Sequence, residues 1–532
     1  MTSARIVAIT LALVVIGIIA TGDAPAADIV AVCPADFRTE LEPWLQHRRG
    51  QGMSVDVVAS KSDAESLSRS IRAAADQQTR YVVLIGDAPT IGVRGNANRQ
   101  IPMHYRSTTV TAMWGSPPTL STDQPFGNLD GDDDGTTEAA VGRLPVSTAN
   151  ELQQAIQRIV AYETSQDFGP WRNQVQLVGG MGGFGMMADA AIESVTRTVV
   201  TGVLPASTQT TIAYASPGHP FFPQGKSFTG AVLANYQRGS AFWVYAGHGQ
   251  VTELDRVPQS AAGIPVLDRQ SAQRLDRPAG ESPIALMLAC YTGAMDAPEN
   301  SIAETMWLSP GGPIAVIAGS RVTMPYGNAT AAVGLIDGVF EQKLPRLGDA
   351  WRNTLDQMQQ EDSANPVTPE NANSRMMIDA LATMISPAGS KLVDERREHL
   401  MLYNLIGDPT LNMHHPETID VSVDTSVVAG DPIAVTVTSP IGGKLSVAID
   451  RPLGGAKADD FSHTDSVTPD PIAFDPNRTR LATLEMEINA GRSATATFVL
   501  PAKTTGPVIA RAFVEGEQGF ANGAARTILR AP

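Results

Sequence analysis

The sequence predicts an α/β protein of two successive units, with parallel-rich sheets and helices on both faces, followed by an all-β domain. The first observation is that short, mainly apolar runs alternate with amphipathic helical segments from residue 28 to about 412. This alternation is typical of buried parallel strands joined by helices. The second observation is that short strands of alternating polarity follow one another after residue 419, between Gly, Pro and Asp turns.

The composition excludes several other classes of protein. The 532 residues are 43% hydrophobic and 18% charged, which rules out a disordered or collagen-like chain. The 39 basic and 55 acidic residues give a net charge of −16, and no basic stripe offsets it, so we expect no nucleic-acid partner. Cys33 and Cys290 are the only cysteines, too few for a disulfide framework or a Cys-rich zinc site.

The first 26 residues predict an export signal. Arg5 precedes an apolar run at residues 6–20, and Ala24, Pro25 and Ala26 offer the small residues of a cleavage site. The run is short for a membrane span, so an uncleaved anchor is the weaker alternative. We therefore expect a secreted, periplasmic or cell-surface protein without integral membrane association once the signal is removed.

The two α/β units are expected at residues 27–166 and 167–415. In the first unit, the apolar pattern predicts strands at 29–32, 55–58, 81–85 and 139–145, and helices at 37–49, 64–75 and 150–163. In the second unit, it predicts strands at 175–178, 210–214, 241–245, 284–288 and 314–318, and helical segments at 188–200, between 329 and 358, and at 372–384.

The C-terminal domain is expected at residues 416–532. Its alternating segments predict strands at 420–424, 433–438, 444–449, 481–488, 494–500, 508–514 and 524–529. Such a succession of short strands within about 115 residues is typical of an immunoglobulin-like β-sandwich.

Two potentially reactive side chains follow apolar strands. His248 lies between Gly247 and Gly249 after one strand, and Cys290 follows the next. Ligand sites of open α/β sheets lie at the carboxyl ends of strands, and a cysteine nucleophile needs a nearby base, which His248 would supply. The N–H groups of Gly249 and Cys290 would bind an oxyanion. Each residue alone also fits a structural role, a core cysteine and a loop histidine, so the hypothesis rests on their pairing.

The segments around these two residues resemble the gingipain family of cysteine peptidases, which belongs to the caspase-like clan. Residues 245–249 read YAGHG and residues 289–293 read ACYTG. Further segments match in order, namely 84–87 (LIGD), 141–145 (VGRLP), 162–163 (YE), 303–304 (AE), 314–318 (IAVIA) and 406–411 (IGDPTL). The resemblance spans about residues 28–412, and an immunoglobulin-like domain also follows the catalytic domain in gingipains.

The resemblance implies that Cys290 is the nucleophile and His248 the proton carrier, with Gly249 and Cys290 forming an oxyanion hole. The implied reaction is hydrolysis of peptide bonds in protein or peptide substrates through an acyl-enzyme, with no required cofactor. Met181 stands where gingipains carry a glutamate, so we expect a dyad without a carboxylate partner. The acidic residue behind the basic P1 preference of gingipains falls near Ile192, so that preference is not expected here.

Arg321 and Tyr326 are the candidate substrate-binding residues. They lie in the segment 319–326, where the resemblance implies the wall of the P1 pocket. Arg321 would pair with an acidic P1 side chain or, alternatively, form an ion pair at the protein surface.

An acidic loop predicts a structural calcium site. Asp130, Asp132 and Asp134 alternate ahead of a glycine, as in the opening of a calcium-binding loop. Glu138 follows as a further source of oxygen ligands. An EF-hand is not expected, because Val141 stands where its closing glutamate would be. The alternative interpretation is a solvated acidic turn.

Two alternatives to a general endopeptidase stay open. A non-catalytic surface binding or adhesion protein on a caspase-like scaffold is suggested by Met181 and by the lack of a propeptide before the first strand. A maturation protease or transpeptidase acting on other exported proteins would use the same residues. An activity-based thiol probe separates the binding protein from the enzymes, because only the enzymes need a His248-dependent thiol. The sequence predicts no particular oligomeric state.

Overall fold

The structure is a computed structural model that describes residues 27–132, 135, 137–183, 193, 202–359, 369–385, 391–457, 460 and 475–532. The predicted export signal, and all but one residue of the predicted helix at 188–200, lie outside these residues. None of the described helices is long and apolar enough to span a bilayer.

Ten strands of the two α/β units form one sheet. In chain order, the strands of these units are β1 (Ile29–Val32), β2 (Val55–Val58), β3 (Tyr81–Ile85), β4 (His104–Ser107), β5 (Thr119–Thr122), β6 (Ala140–Leu144), β7 (Gln174–Gly179), β8 (Gln209–Tyr214), β9 (Phe242–Ala246), β10 (Arg256–Val257), β11 (Ile264–Pro265), β12 (Ile284–Leu288), β13 (Ala315–Gly319) and β14 (Tyr403–Ile406). The order in the large sheet is β2-β1-β3-β6-β14-β13-β12-β9-β7-β8. The predicted strands are confirmed, with bounds that shift by at most one residue.

The two predicted units are joined at a seam, formed by β14 between β6 and β13. β14 pairs in parallel with β6 and antiparallel with β13, while the other neighbours in the sheet are parallel. The strands of the first unit therefore run opposite to those of the second, except for β14, which runs in the direction of the first unit. One continuous sheet results, and the carboxyl ends of β7, β9, β12 and β13 share one edge.

Helices cover both faces of this sheet. In chain order they are α1 (Glu42–Gly50), α2 (Ala64–Ala74), α3 (Ala149–Glu163), α4 (Phe228–Arg238), α5 (Arg269–Ala272), α6 (Ile302–Leu308), α7 (Pro325–Ile336), α8 (Leu347–Gln359), α9 (Pro369–Ile385) and α10 (Leu392–Leu402). The predicted helical stretch between 329 and 358 consists of α7 and α8. A π-helical turn at Asp337–Glu341 and a positive φ of 49° at Lys343 separate them.

The strands at the centre of the sheet are buried at every residue. This holds for β3, β6, β12 and β13, which helices cover on both faces. Burial on both faces explains why these strands read as continuous apolar runs, because neither set of alternating side chains meets water.

The C-terminal domain is a sandwich of two sheets. Its strands are β15 (Glu417–Thr418), β16 (Asp420–Ser422), β17 (Ser426–Val428), β18 (Pro432–Ser439), β19 (Gly443–Asp450), β20 (Arg480–Ile488), β21 (Arg492–Val499), β22 (Gly506–Glu515) and β23 (Phe520–Arg530). One sheet has the order β15-β23-β22-β19-β20 with β17 on β23, and the other is β16-β18-β21. The predicted strands are confirmed, and Val435, Phe498, Val447 and Val514 share one core between the sheets.

A buried arginine links α1 to the segment that follows β14. Arg48 is fully buried, and its guanidinium donates to Asp408 Oδ2 at 2.8 Å and to Glu163 Oε2 at 2.7 Å. Burial acts to raise the pKa of Asp408, but the Arg48 cation and hydrogen bonds outweigh it and hold that pKa below its ordinary value. Asp408 therefore stays ionised beside the buried Arg48 cation.

Two adjacent carboxyl groups, the buried Glu304 and the partly buried Asp87, have raised pKa values. Asp87 follows β3 and Glu304 lies on α6, and the two side chains are hydrogen-bonded to each other. Burial and, to a lesser extent, the neighbouring Asp87 charge raise the pKa of Glu304 to about 8. Burial also raises the pKa of Asp87. At neutral pH Glu304 therefore keeps its proton, because a buried carboxylate beside a second carboxyl group is unfavourable.

We expect Asp408→Asn to lower the free energy of unfolding by about 3–5 kcal/mol, because Arg48 loses one of its two buried carboxylate partners. Glu299→Gln is the matched control: it breaks the exposed pair with Arg269 and should cost at most about 1 kcal/mol. Urea unfolding followed by tryptophan fluorescence reports on both variants, because all six tryptophans precede residue 416. Equal losses in the two variants would contradict the structural role of Arg48.

Glu304 predicts a pH dependence of stability. The folded protein keeps a proton that the unfolded chain releases near the ordinary pKa of 4.5, so stability is full below that pH and falls as the pH rises toward about 8. Glu304→Gln should flatten this slope, because the amide stays neutral at every pH. Melting temperatures between about pH 5 and pH 9 measure the effect. An unchanged slope in the variant would show that another group binds the proton.

Candidate active site

His248 and Cys290 lie at the ends of neighbouring strands. β9 and β12 pair in parallel, with Ala246 opposite Leu288 in the last register pair. His248 and Cys290 each follow two residues later. The structure thus brings the two predicted residues to the same edge of the sheet, where the chain leaves the strands and enters loops.

Gly249 packs directly against the Cys290 segment. A methyl group on its Cα would lie 2.7 Å from the Cys290 carbonyl oxygen and 2.9 Å from the Cβ of Ala289, so only glycine permits this approach. Within the described part of the chain, neither the Gly249 N–H nor the Cys290 N–H donates to another group. Both predicted oxyanion donors are thus present at one place.

The thiol of Cys290 is half-buried and contacts Thr323. The Thr323 N–H donates to Sγ at 3.3 Å, a hydrogen bond that strengthens when sulfur is ionised. Asn328 donates to Thr323 Oγ1 at 3.2 Å and accepts from the Tyr403 hydroxyl at 2.6 Å. This chain of hydrogen bonds fixes Thr323 against the sulfur.

The loop that carries Thr323 is fastened on both sides. Before it, the guanidinium of Arg321 forms an ion pair with Asp296 at 2.6 Å. After it, the Met324 N–H donates to His399 Nε2 at 2.7 Å. Burial lowers the pKa of His399 to about 4, so its ring is neutral and can accept this hydrogen bond.

Tyr291, directly after Cys290, has a strained backbone. Its φ is 58°, a left-handed conformation that is unfavourable for an aromatic residue. The Tyr291 N–H donates to the Arg321 carbonyl oxygen at 3.0 Å, which helps to hold this conformation. The chain therefore turns sharply next to the candidate nucleophile. Strained backbone of this kind is often found at functional sites.

Asp255, between β9 and β10, holds the His248 loop. Its Oδ2 accepts from the N–H of His248 at 3.1 Å and from the N–H of Met181 at 2.9 Å. The Tyr245 hydroxyl donates to the His248 carbonyl oxygen at 2.7 Å. Burial raises the pKa of Tyr245 well above its ordinary value, so this hydroxyl keeps its proton. One carboxylate thus ties the His248 loop to the loop after β7.

Glycines bring these two loops together. A Cβ on Gly180 would overlap the Asp255 carboxylate and lie 2.9 Å from Gly247 Cα. A Cβ on Gly183 would lie 3.9 Å from His248 Nε2, so the imidazole faces this loop. The glycines on both sides of Met181 therefore permit a contact between loops that larger residues would block.

The comparison with protein families identifies the chain. The model of peptidase family C25 matches residues 23–414. The chain belongs to peptidase family C25.

Solved structures show the same fold. This C25 member is similar to gingipain R (RgpB), an Arg-specific cysteine proteinase, with a TM-score of 0.52 and 13% identity over 94% of this chain and 98% of that one. It is also similar to RgpB in the complex of the Porphyromonas gingivalis pro- and mature domains, with a TM-score of 0.51 and 13% identity over 94% and 100% of the two chains. No curated protein matches the sequence.

The two predicted substrate-binding residues of the C25 domain are both buried. Arg321 is 5% exposed and donates to Asp296, Ser121 and two backbone carbonyls, so it is not available to an acidic substrate. Its ion pair is internal rather than at the surface. Tyr326 lines a cavity beside Cys290, and its hydroxyl donates to Asp379 at 2.8 Å.

The acidic loop is only partly described. Asp134 lies outside the described residues. Asp130 accepts from the Asp132 N–H at 3.1 Å, and Glu138 accepts from the Leu129 N–H at 2.7 Å. The described residues contain no group of three His, Cys, Asp or Glu side chains that could hold a metal ion. The calcium site stays a prediction.

Two contributors to the site, Asp255 and Asn328, were not predicted from the sequence, because Asp255 lies in a polar loop and Asn328 in a helical region without a motif. Thr323 was predicted only as part of the segment 319–326, with no role of its own. Asp255 lies seven residues after His248, which is the one signal that could have drawn attention to it. The catalytic dyad itself stays a prediction.

We expect Asp255 to be a positioning residue. Asp255→Ala should slow alkylation of Cys290 by iodoacetamide about 100-fold, because the His248 loop loses its attachment. Asp255→Asn should recover most of the rate, because an amide oxygen can accept the same two N–H groups. Glu253→Ala is the control, since Glu253 pairs with the exposed Arg256 in the same loop. A wild-type rate in Asp255→Ala, with peptide KM also unchanged, would contradict this role.

Proposed function

We propose that the chain is an exported cysteine endopeptidase that hydrolyses peptide bonds through an acyl-enzyme on Cys290, with His248 as general base and acid. The observation that carries this proposal is the contact of Gly249 with the Cys290 segment. This contact holds His248 and Cys290 at the ends of adjacent strands. Membership of peptidase family C25 supports the same class of reaction. Export is proposed from the predicted signal at residues 1–26.

In the first half of the reaction, His248 accepts the thiol proton of Cys290 and the sulfur attacks the substrate carbonyl carbon. The N–H groups of Gly249 and Cys290 stabilise the oxyanion that develops. The imidazolium then gives its proton to the leaving amine nitrogen as the C–N bond breaks. The acyl group remains on sulfur as a thioester.

In the second half, His248 takes a proton from water, and the water oxygen attacks the thioester carbonyl. The C–S bond breaks, the carboxylic acid product leaves, and the proton returns to the sulfur. Thr323 donates to sulfur when it is a thiolate or a leaving group. Asp255 keeps the His248 loop in place through both halves.

Cys290→Ala should abolish casein hydrolysis and iodoacetamide labelling, whereas Cys33→Ala should change neither. Cys33 is fully buried, and burial raises the pKa of its thiol to about 12, so it is protonated and inaccessible at neutral pH. Peptide mass spectrometry of the labelled chain identifies the reactive cysteine.

His248→Gln is the companion variant, because it keeps the thiol and removes the base. We expect its labelling rate to fall at least about 100-fold. Retained hydrolysis in Cys290→Ala would remove Cys290 from the mechanism. A wild-type protein that neither labels nor hydrolyses would favour the non-catalytic binding protein.

A further inference from the structure

We infer that the substrate's P1 side chain is apolar, and long or aromatic, and that it enters a cavity that begins at Cys290. The inference rests on the proposed function and names its class of substrate. It is based on the apolar side chains of the cavity walls, because a pocket for a charged side chain would need a counter-charge.

One wall of the cavity is the face of the sheet that carries Cys290. The cavity has a volume of about 180 Å³, and this wall includes Val244, Ala246, Leu286, Leu288 and Cys290. Side chains alternate between the two faces of a strand, so Cys290 continues the row of Leu286 and Leu288. The sulfur and the cavity therefore lie on the same face.

Helices α7 and α9 form the opposite wall. Ala329, Ala332 and Leu335 face the cavity from α7 at a spacing of three residues, and Ile378 and Ala382 face it from α9. The residues on α7 begin one turn after the loop that holds Thr323. A side chain that enters beside Cys290 thus meets aliphatic groups on both sides.

The described walls of the cavity offer no partner for a charge. Among the described residues that line it, none is charged. The polar side chains that α7 brings to the cavity are already engaged: the Tyr326 hydroxyl donates to Asp379 and accepts from Arg396 at 2.6 Å, and Asn328 is hydrogen-bonded to Thr323 and Tyr403. Arg321 is held by Asp296. An acidic or basic P1 side chain would therefore be buried without a counter-charge, which is strongly unfavourable.

The cavity is deep enough for a large side chain. The cavity-facing residues of β9 run from Ala246 back to Phe242, four residues, or about 13 Å at the rise of a strand. Phe242 and Phe340 lie together at the far end, with ring centroids 5.5 Å apart. This depth exceeds the length of a leucine or phenylalanine side chain.

A matched set of fluorogenic peptides tests the inference. The peptides have one sequence and differ only at P1, which is Phe, Leu, Ala, Arg or Asp. For the full chain, we expect kcat/KM for Phe and Leu to exceed that for Arg and Asp at least about 100-fold, because a charge would be buried. We expect it to exceed that for Ala about tenfold, because more apolar surface is buried.

Ala332→Phe provides a structural test, since it fills the cavity away from Cys290. It should lower kcat/KM for the Phe peptide about tenfold or more and leave the Ala peptide unchanged. Met376→Phe is the matched control on α9, where Met376 is 68% exposed. If Ala332→Phe does not fold, the comparison of the five peptides on the unmodified chain still tests the preference for an apolar P1 side chain.

Labelling of Cys290 by iodoacetamide, measured in parallel, separates the two proposals. Fast, His248-dependent labelling with a preference for Arg or Asp, or with no preference, would overturn the apolar pocket and leave the peptidase. Absence of both labelling and hydrolysis would overturn the proposed function and this inference with it. A preference for Phe or Leu at P1 that is lost in Ala332→Phe would support both the peptidase and the apolar pocket.

Discussion

β14 runs antiparallel to β13 and parallel to β6, so the strands of the two units point in opposite directions within one sheet. The register between β14 and β6 is a single pair, Ile406 with Arg143, and few backbone hydrogen bonds join the units there. Buried charges complete the seam. Arg143 is fully buried and pairs with Asp123 at 2.6 Å, and Arg48 binds Asp408 just after β14. The position of Cys290 depends on this seam, because β12, which precedes Cys290, is separated from β14 only by β13.

Several segments that resemble gingipains serve this framework rather than the chemistry. Asp87 is hydrogen-bonded to Glu304, and these residues come from opposite units. Asp408 holds Arg48 and also accepts from the side chain of Trp44. Such groups are costly to bury alone, so each depends on a partner that lies far away in sequence. The residues of the gingipain-like segments that lie outside the site therefore help to join the two units.

The apolar runs were sufficient to predict nine of the ten strands of the large sheet, because burial of a strand on both faces leaves an apolar pattern in the sequence. β14 was not predicted, because Tyr403–Ile406 follows directly on the helix α10 and no turn residue separates them. His248 and Cys290 were found from the rule that sites lie at strand ends. Asp255 was not found, because it accepts hydrogen bonds from backbone N–H groups of two separate segments. These segments lie together only because β7 and β9 are neighbours in the sheet.

The position of Cys33 bears on how the protein would respond to peroxide. Cys33 follows β1, which is five strand steps from β12 in the sheet, or about 24 Å. That separation is far beyond the reach of a disulfide. A sulfenic acid formed on Cys290 would therefore have no internal thiol with which to condense, and only a small thiol from outside could trap it before further oxidation becomes irreversible.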